Sequence, residues 1–208
     1  MLIQNRGFKP VVDSSAFIAP TAVLVGRINI NLRSRIMYGA ILDSEGSRIE
    51  IGECTVICEN TVLRATASGD REYPILIGDH VFIGPHATLL GCTIESCSYI
   101  ATGATVLHGA TIHSGAIVAV GALVHAKTVV PSGFFVPPNT IAIGDPIKLY
   151  SADEKEALID AIKSIGFAKT AFGVVAKQED GLLKYKEITE IRSKEFESHL
   201  SDVILQGV

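Results

Sequence analysis

Aliphatic side chains return at every sixth position along most of this chain. The series runs Val12, Ile18, Leu24, Ile30, Ile36, Leu42, then Ile77, Ile83 and Leu89. After a five-residue step to Ile94 it continues through Ile100, Val106, Ile112, Val118, Val124, Val130 and Val136. Four residues after many of these anchors stands a small one: Ala16, Ala22, Ala40, Ala87, Ala104, Ala110, Ala116 and Ala122. A period of six matches neither the 3.6 of an amphipathic helix nor the alternation of a hairpin ladder. It matches a three-sided prism, in which three short strands per coil each place one aliphatic side chain on the axis and one small side chain in the tight interior. Successive coils then stack about 4.8 Å apart through backbone hydrogen bonds. A single coil cannot bury its apolar column, so several must stack.

Counting one face of the prism from Ile18 gives Ile36, Ile57, Ile83, Ile100, Val118 and Val136, about seven coils. The segment ATASGDREYP, residues 65–74, breaks the count and is expected as a loop pushed out of the prism. Such loops often border a site. After Pro146 the pattern changes. Ser151 and Glu154 have the spacing of a capping box, and Leu158, Ile159, Ile162 and Ile165 form one stripe, predicting a helix over 151–165. Tyr185, Ile188, Ile191, Phe196, Leu200 and Val203 predict a second helix over 183–204, and the stretch between, with Gly166, Gly173 and Gly181, is expected to be irregular. The organisation is thus an all-β solenoid over 1–150 followed by a helical segment over 151–208.

Charge narrows the partners. The formal net charge is -4 and aromatic residues make up 6% of the chain, which leaves no basic patch and argues against nucleic acid and anionic membranes. No run of eighteen apolar residues occurs and the N-terminal MLIQNRGFKP lacks the apolar core of a secretory signal, so a soluble, cytoplasmic protein is expected. The four cysteines, Cys54, Cys58, Cys92 and Cys97, are then expected as free thiols. Between His80 and Gly144 only Glu95 and Lys127 are charged, so the outer surface there should be covered by a C-terminal element or by other subunits.

The hexapeptide pattern, together with YGAIL (38–42), RIEIGE (48–53), NTVL (60–63), LIGDHVFIG (76–84), GCTI (91–94) and VPPNTIAIGDPIK (136–148), resembles the γ-class carbonic anhydrase family of the hexapeptide-repeat transferase superfamily. The likeness covers about residues 10–150. It implies a left-handed parallel β-helix, an exception to the usual right-handed crossover, assembled as a homotrimer with sites between subunits. It also implies a zinc site of three histidines, two from one subunit and one from its neighbour, with a position left open for water. In this chain those three places fall on Arg64, Pro85 and Leu90, none of which ligates zinc. The family's conserved arginine, the aspartate two residues on and a Gln-Asp pair fall on Asp43, Glu45 and Cys58-Glu59. No zinc or other cofactor is therefore expected.

Asp43 and Arg64 each follow an anchor of the same face in consecutive coils, so their side chains should stack one strand spacing apart, with Glu45 and Glu59 near enough to join. Arg64 would then occupy the electrostatic place of the lost cation. Such a cluster reads as a structural contact at a subunit interface, as a binding place for a small anionic or acyl ligand, or as a surface ion pair worth ~0.5 kcal/mol. Three residues, His86, Glu59 and Arg64, are candidates for catalysis, and Asp43, Glu45 and Arg64 for ligand binding. The rival reading is an acyl-CoA-dependent acyltransferase with His86 or His125 as base and Lys127 or Lys148 meeting CoA phosphates. Two displaced metal sites are conceivable, His108 with His113 and a Cys54, His80, Cys97 ladder, and Cys58 is a conceivable nucleophile; packing and hydrogen bonding are the bland readings of each.

Overall fold

The computed structural model describes residues 1–68, 71–172 and 181–205. It is a left-handed parallel β-helix with helices after it. Each coil contributes one strand to each of three parallel sheets. The first face runs from Val11–Val12 to Val129–Val130 and the second from Phe17–Ile18 to Phe135–Val136, seven strands each. The third contains seven coil strands, from Val23–Val25 to Ile141–Ile143, within a sheet of ten. Its three extra strands are Leu2–Gln4 and Val203–Leu205 at one end and Lys148–Tyr150 at the other. Seven complete coils therefore stack, as the spacing of the anchors predicts.

The anchors fill the axis. Leu24, Leu42, Leu63, Leu89, Val106 and Val124 of the third face, and Ile36, Ile57, Ile83, Ile100, Val118 and Val136 of the second, are all 0% exposed. Ala22, Ala40, Ala87, Ala104, Ala110, Ala116 and Ala122 are buried among them, because the prism narrows at its corners and admits only a methyl group there. Removing an axial side chain has the large cost of a well-packed core, ~2–5 kcal/mol for Ile or Leu to Ala.

Four segments differ from the sequence expectation. The expected loop does leave the prism, but as antiparallel strands Thr66–Ser68 and Arg71–Tyr73, while Ala65 stays in the core. Its second strand is latched to the column: Ser47 Oγ and Arg48 Nη1 each donate to Glu72 Oε1 at 2.9 Å. Tyr73 lies against the corner at Gly91, whose φ is +50° and where an added Cβ would stand 2.5 Å from Tyr73 Cβ, so only glycine lets the hairpin close down.

The remaining three lie after the column. Helix α1 spans Lys155–Ile165, starting four residues later than expected. The Glu154 carboxylate does accept the Ser151 N–H at 2.8 Å, but this capping-box contact closes a turn ahead of the helix. Within the stretch expected to be irregular, α2 spans Phe167–Phe172, and Gly173 to Asp180 lie outside the described residues. The last helix, α3, spans Gly181–Phe196 and gives way to a 3-10 turn, Glu197–Ser201, and then to the strand Val203–Leu205. That strand pairs antiparallel with Leu2–Gln4, so the unfilled edge of the third face ends the helix well before residue 204. Leu200, assigned to the apolar stripe, is 89% exposed as a result.

Candidate functional site

The strands Ile41–Asp43 and Val62–Arg64 sit side by side in the third face, with Asp43 as the register partner of Arg64 and Leu90 as its partner on the other side. Because Leu42, Leu63 and Leu89 point inward, the pleat sends Asp43, Arg64 and Leu90 outward. At the corner after Asp43 the backbone turns through Glu45, which has φ 44°, and its N–H donates to Asp43 Oδ1 at 2.9 Å. That turn lays the Glu45 carboxylate back along the sheet, where its side chain is only 5% exposed.

Glu45 Oε1 accepts from Arg64 Nε and from Arg192 Nη2, the latter at 2.9 Å. Arg64 Nη2 also lies 3.7 Å from Asp43 Oδ2. Arg192 belongs to α3, and its Nη1 donates to Glu195 Oε2 at 2.6 Å. Phe196 packs against both guanidinium groups, each Cζ 4.6 Å from the ring centroid. The next turn adds His199, with Nε2 3.7 Å from Asp43 Oδ2 and Nδ1 3.0 Å from Asp202 Oδ2, and Asp202 Oδ1 accepts from Asn5 Nδ2 at 2.7 Å. One helix face and the turn after it thus close over the column as a clasp, since residues three and four apart share a face.

Within the clasp, burial pushes the Asp43 carboxyl above the usual carboxylate range; the Glu45 N–H opposes this, the Glu45 charge adds to it, and Arg64 and His199 oppose it. Beside it, His108 is buried with Nε2 3.5 Å from Thr66 Oγ1 and its ring edge-on to Tyr73, centroids 5.9 Å apart. Burial holds the His108 imidazole down at about 4, with Arg192 adding to the effect and Glu45 opposing it. The sequence identified Asp43, Glu45 and Arg64 but not Arg192, Glu195, Phe196, His199 and Asp202. The signal available was the spacing of Arg192, Phe196 and His199 along one helix face.

Other candidates fall elsewhere. Glu59 and His86 sit at the corner that leads into the third-face strands, whereas Arg64 ends one of those strands, and among the described residues Glu59 has no ion pair with Arg64. The two corner residues meet only through the backbone, His86 N–H donating to Glu59 O at 3.0 Å. His86 is exposed, with φ 60°. His125 is buried under Phe167, ring centroids 5.2 Å apart, where it has no access to an acyl acceptor. Cys58 is buried, and burial first and the Glu59 charge second push its thiol up, opposite to what a nucleophile needs. His113 bonds Glu95 at 2.9 Å and not His108. Among the described residues no group of three His, Cys, Asp or Glu side chains is arranged to hold a metal ion. Nor, among the described residues, is any helix long and apolar enough to cross a membrane.

No family model matches the chain. Over 102 residues it is 39% identical to gamma carbonic anhydrase 1, mitochondrial, of Arabidopsis thaliana, covering 48% of this chain and 37% of that protein. Over that stretch the chain is similar to the γ-class carbonic anhydrases. Over 88 residues it is also 33% identical to gamma carbonic anhydrase-like 2, mitochondrial, of the same plant, covering 41% of this chain and 34% of the other. The matched part is less than two fifths of the length of either relative. A crystal structure of a hexapeptide transferase family protein from Anaplasma phagocytophilum aligns over 92% of this chain and 96% of its own, with 24% identity and a TM-score of 0.43.

The resemblance implies zinc, and the residues present do not fit it. Arg64 offers a permanently protonated guanidinium with no lone pair, already bonded to Glu45. Its register partner Leu90 is an alkyl group and Pro85 a saturated ring. Zinc needs imidazole, thiolate or carboxylate donors.

Proposed function

We propose that this chain is a γ-carbonic-anhydrase-like hexapeptide-repeat protein without carbonic anhydrase activity, acting as a structural subunit of a homotrimer. One observation supports this above the others: the guanidinium of Arg64 stands where the family resemblance puts a zinc ligand, and its partner there is a nearly buried carboxylate of the same chain. Lowering the pKa of a bound water toward 7 needs a metal with three protein ligands, and these positions supply none. An anionic or acyl ligand would have to displace Glu45 from both Arg64 and Arg192, so the structural role is favoured over ligand binding.

The trimer reading draws on the second face. Its outward side chains Phe82, Tyr99, Ile117 and Phe135 are each more than a third exposed and line up in register on four consecutive coils, with Phe17 further along the face beyond Val56 and Arg35. Contiguous apolar surface of this kind marks a protein interface. In this reading residues 1–150 form the β-helical unit that supplies the subunit contacts, and 151–208 form the segment that supplies the clasp. Residence is in the cytoplasm, where the free thiols stay reduced.

The test is elemental analysis of protein incubated with zinc and desalted, alongside a CO2 hydration assay. Less than one zinc per trimer and no hydration above the buffer rate are expected; stoichiometric zinc with hydration overturns the reading. Saturable stabilisation by acyl-CoA, lost in His86→Ala, would replace it with the acyltransferase. Co-fractionation with mitochondria, the compartment named for both Arabidopsis relatives, would overturn the cytoplasmic assignment.

A further inference from the structure

Two imidazoles, His108 and His125, are buried on neighbouring coils, which are tied where Lys127 N–H donates to His108 O at 3.0 Å. They are 6% and 4% exposed, and among the described residues Nδ1 of each has no hydrogen-bond partner. Each is covered by an aromatic ring met edge-on. Tyr73, of the strand Arg71–Tyr73, lies over His108 with centroids 5.9 Å apart, and Phe167, of α2, lies over His125 at 5.2 Å. Arg71 Nη1 donates to Lys169 O at 3.2 Å and so joins the two halves of this cover. The strand is held down through Glu72, which Ser47 and Arg48 grip, and α2 through the buried Thr170 and Ala171. Helix α1, just before α2, buries no residue and adds no buried anchor.

A neutral imidazole fits beneath this cover and an imidazolium does not. The charged ring carries two N–H donors. At His108 only Nε2 has a polar neighbour, Thr66 Oγ1 at 3.5 Å. Burial disfavours the charged ring first, Arg192 adds to that, and Glu45 opposes it while already shared by Arg64 and Arg192. Lys127, beside Tyr73 at the Gly109 corner, is a further cation and gives no counter-ion. Of the charges on the cover itself, Arg71 reaches to Lys169 O and Glu72 is taken by Arg48. At His125 the ring meets Phe167, and burial disfavours its charged form. A proton on either ring is thus a buried charge without compensation.

We infer that the strand Arg71–Tyr73 and α2 form an acid-released cover, which protonation of His108 and His125 lifts from the column while the coils beneath stay folded. Once lifted, each imidazolium gives its Nδ1–H to water. The column keeps its shape because backbone amides, which do not titrate in this range, hold coil to coil. Opening bares two imidazoles on adjoining coils to solvent.

The experiment is amide hydrogen exchange of the full chain between pH 7.5 and 5, read as protection factors corrected for the intrinsic pH dependence of exchange. Protection of Arg71–Tyr73 and Phe167–Phe172 should fall about 30-fold from the His108 proton alone, with His125 adding to it, while Ile100 and Val118 in the column keep theirs. His108→Gln and His125→Gln should each reduce the fall, and the double variant should abolish it. The unmodified chain decides the matter even where a variant misfolds: loss of protection in cover and column together, or none in the cover at pH 5, overturns the inference. A full fall in the folded double variant overturns it too, by placing the acid response in the Glu72 latch.

Discussion

The second and third faces of the column are alike inside and opposite outside. Both turn fully buried aliphatic anchors toward the axis. Outward, the third face presents Asp43 and Arg64, which α3 and the turn after it answer with Arg192, Phe196 and His199. The second presents Phe17, Phe82, Tyr99, Ile117 and Phe135, which nothing among the described residues covers. A period of six therefore builds the solenoid without regard to what its faces meet. The outward positions decide which face the chain covers for itself and which it leaves open.

The largest effect should come from the uncovered face. Phe82→Asp puts a charge into the middle of the proposed contact and should dissociate the trimer to monomers in sedimentation, with unchanged far-ultraviolet dichroism; like burial of any unpaired interfacial charge, it costs several kcal/mol. A trimer that survives this change would place the subunit contact elsewhere. On the clasped face, Glu45→Ala leaves two neighbouring guanidinium groups without the carboxylate they share and should lower stability by ~2–3 kcal/mol in denaturant melts, less than for a fully buried pair because Arg64 is 33% exposed.

How much of this contrast was legible depends on the range of the interactions. The coils, the axial anchors and the stacking of Asp43 on Arg64 follow from spacing alone, because each coil is hydrogen-bonded to its neighbours in register. The clasp joins Arg192 to Glu45, 147 positions apart, and no periodicity links them. The end of α3 at Phe196 was equally hidden: the residues after it keep the helical stripe, yet the strand Val203–Leu205 has a sheet edge to fill at Leu2–Gln4. Glu59 stands apart from the cluster because a whole strand, Val62–Arg64, separates its corner from the clasp.

Acid should weaken the clasped face next. His108 is held at about 4 in the folded chain against 6.5 when free, so between those values the unfolded chain takes up a proton that the folded one refuses. Its contribution is present above pH 6.5 and is lost as pH falls toward 4, by ~2 kcal/mol. The raised Asp43 carboxyl acts in the opposite sense, its penalty easing as it protonates. His108→Gln should flatten the fall of melting temperature over that range; an unchanged slope would show that another group is responsible. The smallest effect expected is from Phe196→Leu, which removes the ring that both guanidinium groups pack against at a cost of ~1 kcal/mol in the same melts.

A double-mutant cycle on Arg64 and Glu45 tests most directly whether a guanidinium clasp has replaced the metal centre. Stabilities of the wild type, Arg64→Gln, Glu45→Gln and the double variant should yield a coupling of ~1.5–3 kcal/mol that is insensitive to chelator. A coupling within error of zero, or one that appears only when zinc is supplied, would contradict the account.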